Sequence, residues 1–192
     1  VQLESSQKVL YGTKTTNGVA DGCLEEYSRV PMGERRWRLH MLLADFNGDN
    51  RQDIFAASYG YSGGHPAHAA HLNSANSILF QEADGSFRDD SGVFDNQSPQ
   101  MFSEDAKRSY AAEAPDLDND GMPDLIVTNN GSPLQLFHNR IAQGQGMVQV
   151  SNWLPPYLRN CGGRCLKKAL AVGDFNNDGL VDIAVGSAKE GI

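Results

Sequence analysis

No apolar run in the 192 residues approaches the roughly 18 to 20 that a membrane-spanning helix needs, and no basic segment leads into an apolar one at the N-terminus. The sequence predicts no membrane span. Positive charge is also scarce, with 16 Lys and Arg against 24 Asp and Glu, a formal charge of -8 and a pI near 5.0. Binding to nucleic acid, which needs a basic patch to displace counterions from phosphates, is excluded on that ground. Cysteine is limited to Cys23, Cys161 and Cys165, too few for a disulfide scaffold and too few to fix the redox compartment. The CGGRC segment either closes as a small disulfide loop or carries two unpaired thiols, and Cys23 then pairs outside the chain or stays free. Catalytic signatures are missing as well: there is no GxSxG elbow, HExxH pair or phosphate-binding glycine loop. The expectation is a protein that is not an enzyme. The first residue, Val1, is read as a sign that a signal peptide or further upstream sequence has been removed.

The acidic excess has a local cause. Ten of the acidic residues fall in three segments built on one template, DFNGDNRQD from Asp45, DLDNDGMPD from Asp116 and DFNNDGLVD from Asp174. Short apolar strands alternate with them, ending near Tyr11 or centred on Phe80 and Phe137. From aromatic to next acidic motif the spacing is 34, 36 and 37 residues. Each unit reads as four strands. Apolar stretches before the loops (HMLLAD, YAAEAPD, ALAVGD) form the first, β-rich runs after them (DIFAAS, DLIVTN, DIAVGS) the second, and the aromatic segments the third. A fourth follows a hairpin turn at Asn17-Gly18 or Asp84-Gly85, and less cleanly at Gly144 and Gly146, where positive φ is tolerated.

Repeated four-stranded antiparallel units are the signature of propeller blades. The predicted fold class is all-β, a β-propeller segment of about three blade equivalents from a larger, seven-bladed propeller. Residues 1–38 would supply strands three and four of one blade, residues 39–108 and 109–167 two complete blades, and residues 168–192 the first two strands of the next. Three equivalents do not close a ring of four to eight blades, so the rest comes from the same polypeptide or from an oligomer.

Positions 1, 3, 5 and 9 of each loop bear side-chain oxygens, and position 7 would contribute its carbonyl. The candidate ligands are Asp45, Asn47, Asp49, Arg51 and Asp53; Asp116, Asp118, Asp120, Met122 and Asp124; and Asp174, Asn176, Asp178, Leu180 and Asp182. Hard oxygen donors at flexible geometry select Ca2+, predicting three calcium sites. Position 6, which is Asn50, Gly121 or Gly179, is of a type that enters the left-handed conformation. An EF-hand is excluded because position 12 is Ala56, Val127 or Val185 in place of Glu, and because strands, not helices, follow. Three dications would bring the charge to about -2. The alternative is a set of solvated Asp/Asn turns.

With their flanking apolar strands, these loops resemble the FG-GAP or VCBS repeats of integrin alpha-subunit propellers and of many secreted bacterial proteins. The resemblance covers nearly the whole chain. It implies that the acidic loop joins the first two strands of a blade and binds calcium, and that the module is extracellular, either secreted or part of a surface ectodomain. It also implies adhesion, protein interaction or scaffolding, with a protein or glycan ligand on the face opposite the calcium loops. A lectin propeller and an accessory domain of a secreted enzyme are the alternatives. The first complete unit is longer than the second by 14 residues, placed in an insert at 59–73 with Tyr59, Tyr61, His65, His68 and His71. Those imidazoles either share a ligand or simply pack on a neighbour. Trp153 and Tyr157 either stack on a sugar or partner or pack between blades. Sequons at Asn96 and Asn130 are each followed by proline after the serine.

Overall fold

The computed structural model describes residues 9–14, 17, 20–27, 38–58, 76–90, 109–129, 133–159 and 167–187. Strands β1 (Val9–Lys14) and β2 (Ala20–Tyr27) form an antiparallel pair with Asn17 in the turn between them. A four-stranded sheet follows, made of β3 (Arg38–Ala44), β4 (Asp53–Ser58), β5 (Ser77–Gln81) and β6 (Phe87–Asp89), each beside its sequence neighbour. The second has the same order: β7 (Ser109–Glu113), β8 (Leu125–Asn129), β9 (Gln135–Arg140) and β10 (Gly146–Gln149). Strands β11 (Lys167–Gly173) and β12 (Asp182–Ser187) end the series as another antiparallel pair. Helix is confined, among the described residues, to a 3-10 turn at Ser151–Trp153 and one α-turn, α1, at Pro156–Arg159. The fold is all-β, with four-stranded antiparallel sheets of the blade type, and no described helix is long and apolar enough to cross a membrane.

The register repeats in detail. A bulge interrupts the first strand of each acidic-loop unit at the same place, between Arg38 and His40, Ser109 and Ala111, and Lys167 and Ala169. Opposite the third bulge stands Gly186, where an added Cβ would lie 2.9 Å from that of Ala169. Both faces of β4 and β8 are covered, which is why they read as continuous apolar runs and not as alternating ones. Phe46 of the first loop and Phe55, Ile78 and Phe80 of the first sheet meet Ala112, Leu125, Val127, Phe137 and Met147 of the second sheet in one core. Ile126, Leu134 and Leu136 face the other way, forming a second core with Leu154 against which Leu170, Val172, Ile183 and Val185 pack. Each fully buried large side chain stabilises the stack by roughly 2 kcal/mol over exposure. First strands are neighbours, β7 packing against both β3 and β11.

A buried polar chain joins the sheets at the end away from the acidic loops. Asn76 Nδ2 donates to Ser109 Oγ, Ser109 Oγ to Asn129 Oδ1, and Asn129 Nδ2 to Pro133 O and Gln135 Oε1. The register refines two readings of the strands. Phe80 and Phe137 are not equivalent: Ile54 opposes Leu79 while Leu125 opposes Phe137, so the counterpart of Phe80 is His138. The Asp84-Gly85 turn has positive φ at Gly85 alone (80°), with Gly85 N–H donating to Glu82 O and Glu82 N–H to Ser86 O. That is a three-residue hairpin with a bulge, and it joins β5 to β6 antiparallel at the expected place. The insert at 59–73, Cys161, Cys165 and both sequons lie outside the described residues.

Candidate metal-binding loops

Each acidic loop joins the first strand of its unit to the second: β3 to β4, β7 to β8, and β11 to β12. Their backbones follow one trace. Positions 4 and 6 both take positive φ: Gly48 (77°) and Asn50 (64°), Asn119 (58°) and Gly121 (87°), Asn177 (60°) and Gly179 (85°). Position 6 was foreseen. Position 4 was not, although Gly, Asn and Asn at that place carried the signal, being the types that enter this region most easily.

Carboxylates hold this trace. Asp45 accepts the N–H groups of Gly48, Asp49 and Asn50; Asp116 those of Asp120 and Gly121; Asp174 those of Asp178 and Gly179. Position 3 accepts from the N–H of position 5 in all three loops, through Asn47, Asp118 and Asn176. Position 5 in turn accepts the N–H of position 7, through Asp49 from Arg51, Asp120 from Met122 and Asp178 from Leu180. The side chains of positions 1, 3 and 5 are thereby gathered on the inside of the turn. Asn47 and Asn176 also donate their amide N–H to the second oxygen of Asp49 and Asp178.

Position 9 does more than the spacing suggested. Asp53 Oδ2 accepts from Phe46 N at 2.9 Å and Oδ1 from Gln81 N at 2.9 Å, so one carboxylate ties the loop to the third strand. Asp124 repeats this with Leu117 N at 3.1 Å and Asn139 N at 2.9 Å. Asp182 bonds Phe175 N at 2.8 Å. Burial pushes the Asp53 carboxyl up to about 6, against the opposing pull of the Gln81 and Phe46 N–H groups and with the charges of Asp49 and Asp45 adding to the rise. Burial likewise raises Asp124, whose bonds from Asn139 and Leu117 oppose it. A cation nearby would reverse both.

Three further side chains escaped the sequence reading. Arg51 bends back over its loop, donating Nε–H to Gln81 O at 2.8 Å and a terminal N–H to Asp49 Oδ2. Buried Asn139 donates to Phe46 O at 2.9 Å and Pro123 O at 3.0 Å, linking the first loop to the second. The imidazole of His138 reaches the middle loop, with Nε2 3.0 Å from Asp118 Oδ2 and 3.9 Å from Asp120 Oδ2. A polar residue inside the apolar third strand was the available signal for it.

The loops fit a hard dication on donor chemistry. Loops one and three offer only oxygens, crowded enough to repel one another until neutralised. Fold and loops together define a class, an all-β repeat of four-stranded antiparallel blades whose first two strands are joined by an acidic turn. Residues 116–185 match the family described as FG-GAP-like repeat, a span that opens on the first position of the middle loop and takes in the third. No curated protein and no solved structure matched the chain.

Proposed function

We propose that the chain is a calcium-stabilised segment of an extracellular β-propeller and that it serves binding, adhesion or scaffolding, not catalysis. One observation carries the reading: three loops repeat the same pair of left-handed residues and turn the side chains of positions 1, 3 and 5 inward, next to a position-9 carboxylate that is buried in the first two. Burying that charge unpaired is costly, and an ion within the turn offsets the cost. Side-by-side first strands support radial stacking of the blades, the arrangement that a closed, seven-bladed ring extends.

Calcium here is a structural ligand. Four carboxylates in the middle loop, against three in each of the others, rank Asp116 to Asp124 as the tightest all-oxygen site. Trp153 and Tyr157, 47 % and 73 % exposed, support a contact surface for a protein or glycan. The deciding experiment is calcium titration of the metal-free chain followed by thermal denaturation. One site at a hundredfold excess over its Kd adds about 2.7 kcal/mol, which for a chain of this size raises Tm by roughly 5 to 10 °C. A melting curve indifferent to millimolar calcium and to chelator overturns the reading.

A further inference from the structure

The middle loop departs from the other two in a coordinated way. At position 3 the first and third loops carry Asn47 and Asn176, whose amides donate to the second oxygen of position 5. The middle loop carries Asp118 there, which has no proton to donate when ionised. In the same unit, the strand position filled by Phe80 in the preceding sheet holds His138. An extra carboxylate and an imidazole thus arrive together, and they face each other.

His138 is 4 % exposed, and its ring lies against Trp153 with centroids 5.0 Å apart and planes at 45°. Its Nε2 is fully buried and has no hydrogen-bond partner among the described residues, the 3.0 Å approach to Asp118 Oδ2 lacking hydrogen-bond geometry. An orphaned buried nitrogen requires an explanation. Nε2 lies with a carboxylate oxygen from each of Asp118 and Asp120 in a cluster whose members are all within 4.8 Å of one another. Two donors bound to one ion at about 2.1 Å with a tetrahedral angle stand roughly 3.4 Å apart. The separations of 3.0 and 3.9 Å bracket that value.

We propose that Asp118, Asp120 and His138 form a site for a dication of borderline softness, of the zinc type, on the His138 side of the middle loop. Imidazole nitrogen suits zinc and its neighbours and is foreign to calcium, whereas the first and third loops offer oxygen alone. The main-chain bonds to Asp118 and Asp120 engage Oδ1, leaving the Oδ2 atoms turned toward the imidazole. Packing on Trp153 fixes the ring before any ion arrives. The site shares Asp118 and Asp120 with the calcium set, so at this loop the two ions compete; calcium at the other loops is not required for it.

The test is Zn2+ titration of the full chain with the imidazole nitrogens followed by NMR, and with Co2+ absorption in a background where His65, His68 and His71 are changed to Asn. One equivalent of Zn2+ shifts His138 Nε2, and both His138→Phe, which restores the residue type of Phe80, and Asp118→Asn, which restores that of the first loop, weaken Co2+ binding at least tenfold. Calcium binding by the first and third loops is unchanged in His138→Phe. Equal Co2+ affinity in His138→Phe, or an Nε2 that stays protonated beside Asp118 with Zn2+ present, overturns the proposal. Three calcium ions without a His138 response would leave the calcium reading standing alone; a His138 response without calcium binding would leave only the zinc-type site.

Discussion

Removing metal and lowering the pH tests the buried carboxylates directly. Asp53 has an ordinary value of 3.8 and is raised by burial to about 6 in the folded chain. Because the folded state holds this proton more tightly than the unfolded state, stability is greatest with the proton on and falls as pH rises through 6. At about 1.4 kcal/mol per tenfold, the difference is about 3 kcal/mol, absent below pH 3.8 and fully felt above 6. Asp124 acts in the same direction. The assay is urea denaturation of the metal-free chain from pH 7.5 to 4.0, compared with Asp53→Asn, which cannot titrate there. Stability of the wild type relative to this variant should rise by about 2.5 kcal/mol across the range. With saturating calcium the sign reverses, since the ion favours the carboxylate and acidification then removes stability. A metal-free difference that is flat or falls on acidification refutes the burial of that charge as the controlling factor.

Three further outcomes are expected. Asn119→Ala places a Cβ-bearing residue at φ 58° without the Asn side chain and should cost roughly 1 kcal/mol in urea denaturation, whereas Asn119→Gly should be within about half of that of wild type. Asn139→Ala strips a buried donor from Phe46 O and Pro123 O, leaving both carbonyls short, and should cost about 2 to 3 kcal/mol with a common loss of both sheets in hydrogen exchange. Arg51→Ala releases Asp49 from a partly exposed ion pair of up to about 1 kcal/mol, so calcium titration should find the first loop roughly fivefold tighter and the third unchanged.

Strand order and loop placement were readable because their signals are local and repeat. An acidic template recurring between two apolar runs specifies a strand, a turn and a strand wherever it occurs, and DIFAAS, DLIVTN and DIAVGS carry their own β propensity. What escaped detection depends on register or on contacts distant in sequence. Aligning the strands on Phe80 and Phe137 hides that His138 is the register counterpart of Phe80, and a one-residue slip in a strand exchanges its two faces. His138 was invisible as a site residue for that reason. Asn139 bonds to a carbonyl 93 positions away, which no window along the chain can anticipate. The closing role of Asp53 needs the third strand in place, since one of its two N–H partners is on Gln81.

The hydrogen bonds also decide what an ion can contribute. In each loop, main-chain N–H groups already bind the carboxylate or amide oxygens of positions 1, 3 and 5, and the left-handed pair sets the turn without help. A cation therefore meets a shaped turn and adds chiefly charge neutralisation, so its binding energy is not consumed in ordering the backbone. The loops nevertheless start from different charge states. The first carries its own counter-charge in Arg51, the third has Asn176 bonded to Asp178, and the middle loop has four carboxylates with only an imidazole beside them. Nearly identical backbones thus present three electrostatic problems, and the middle one has the strongest demand for a dication.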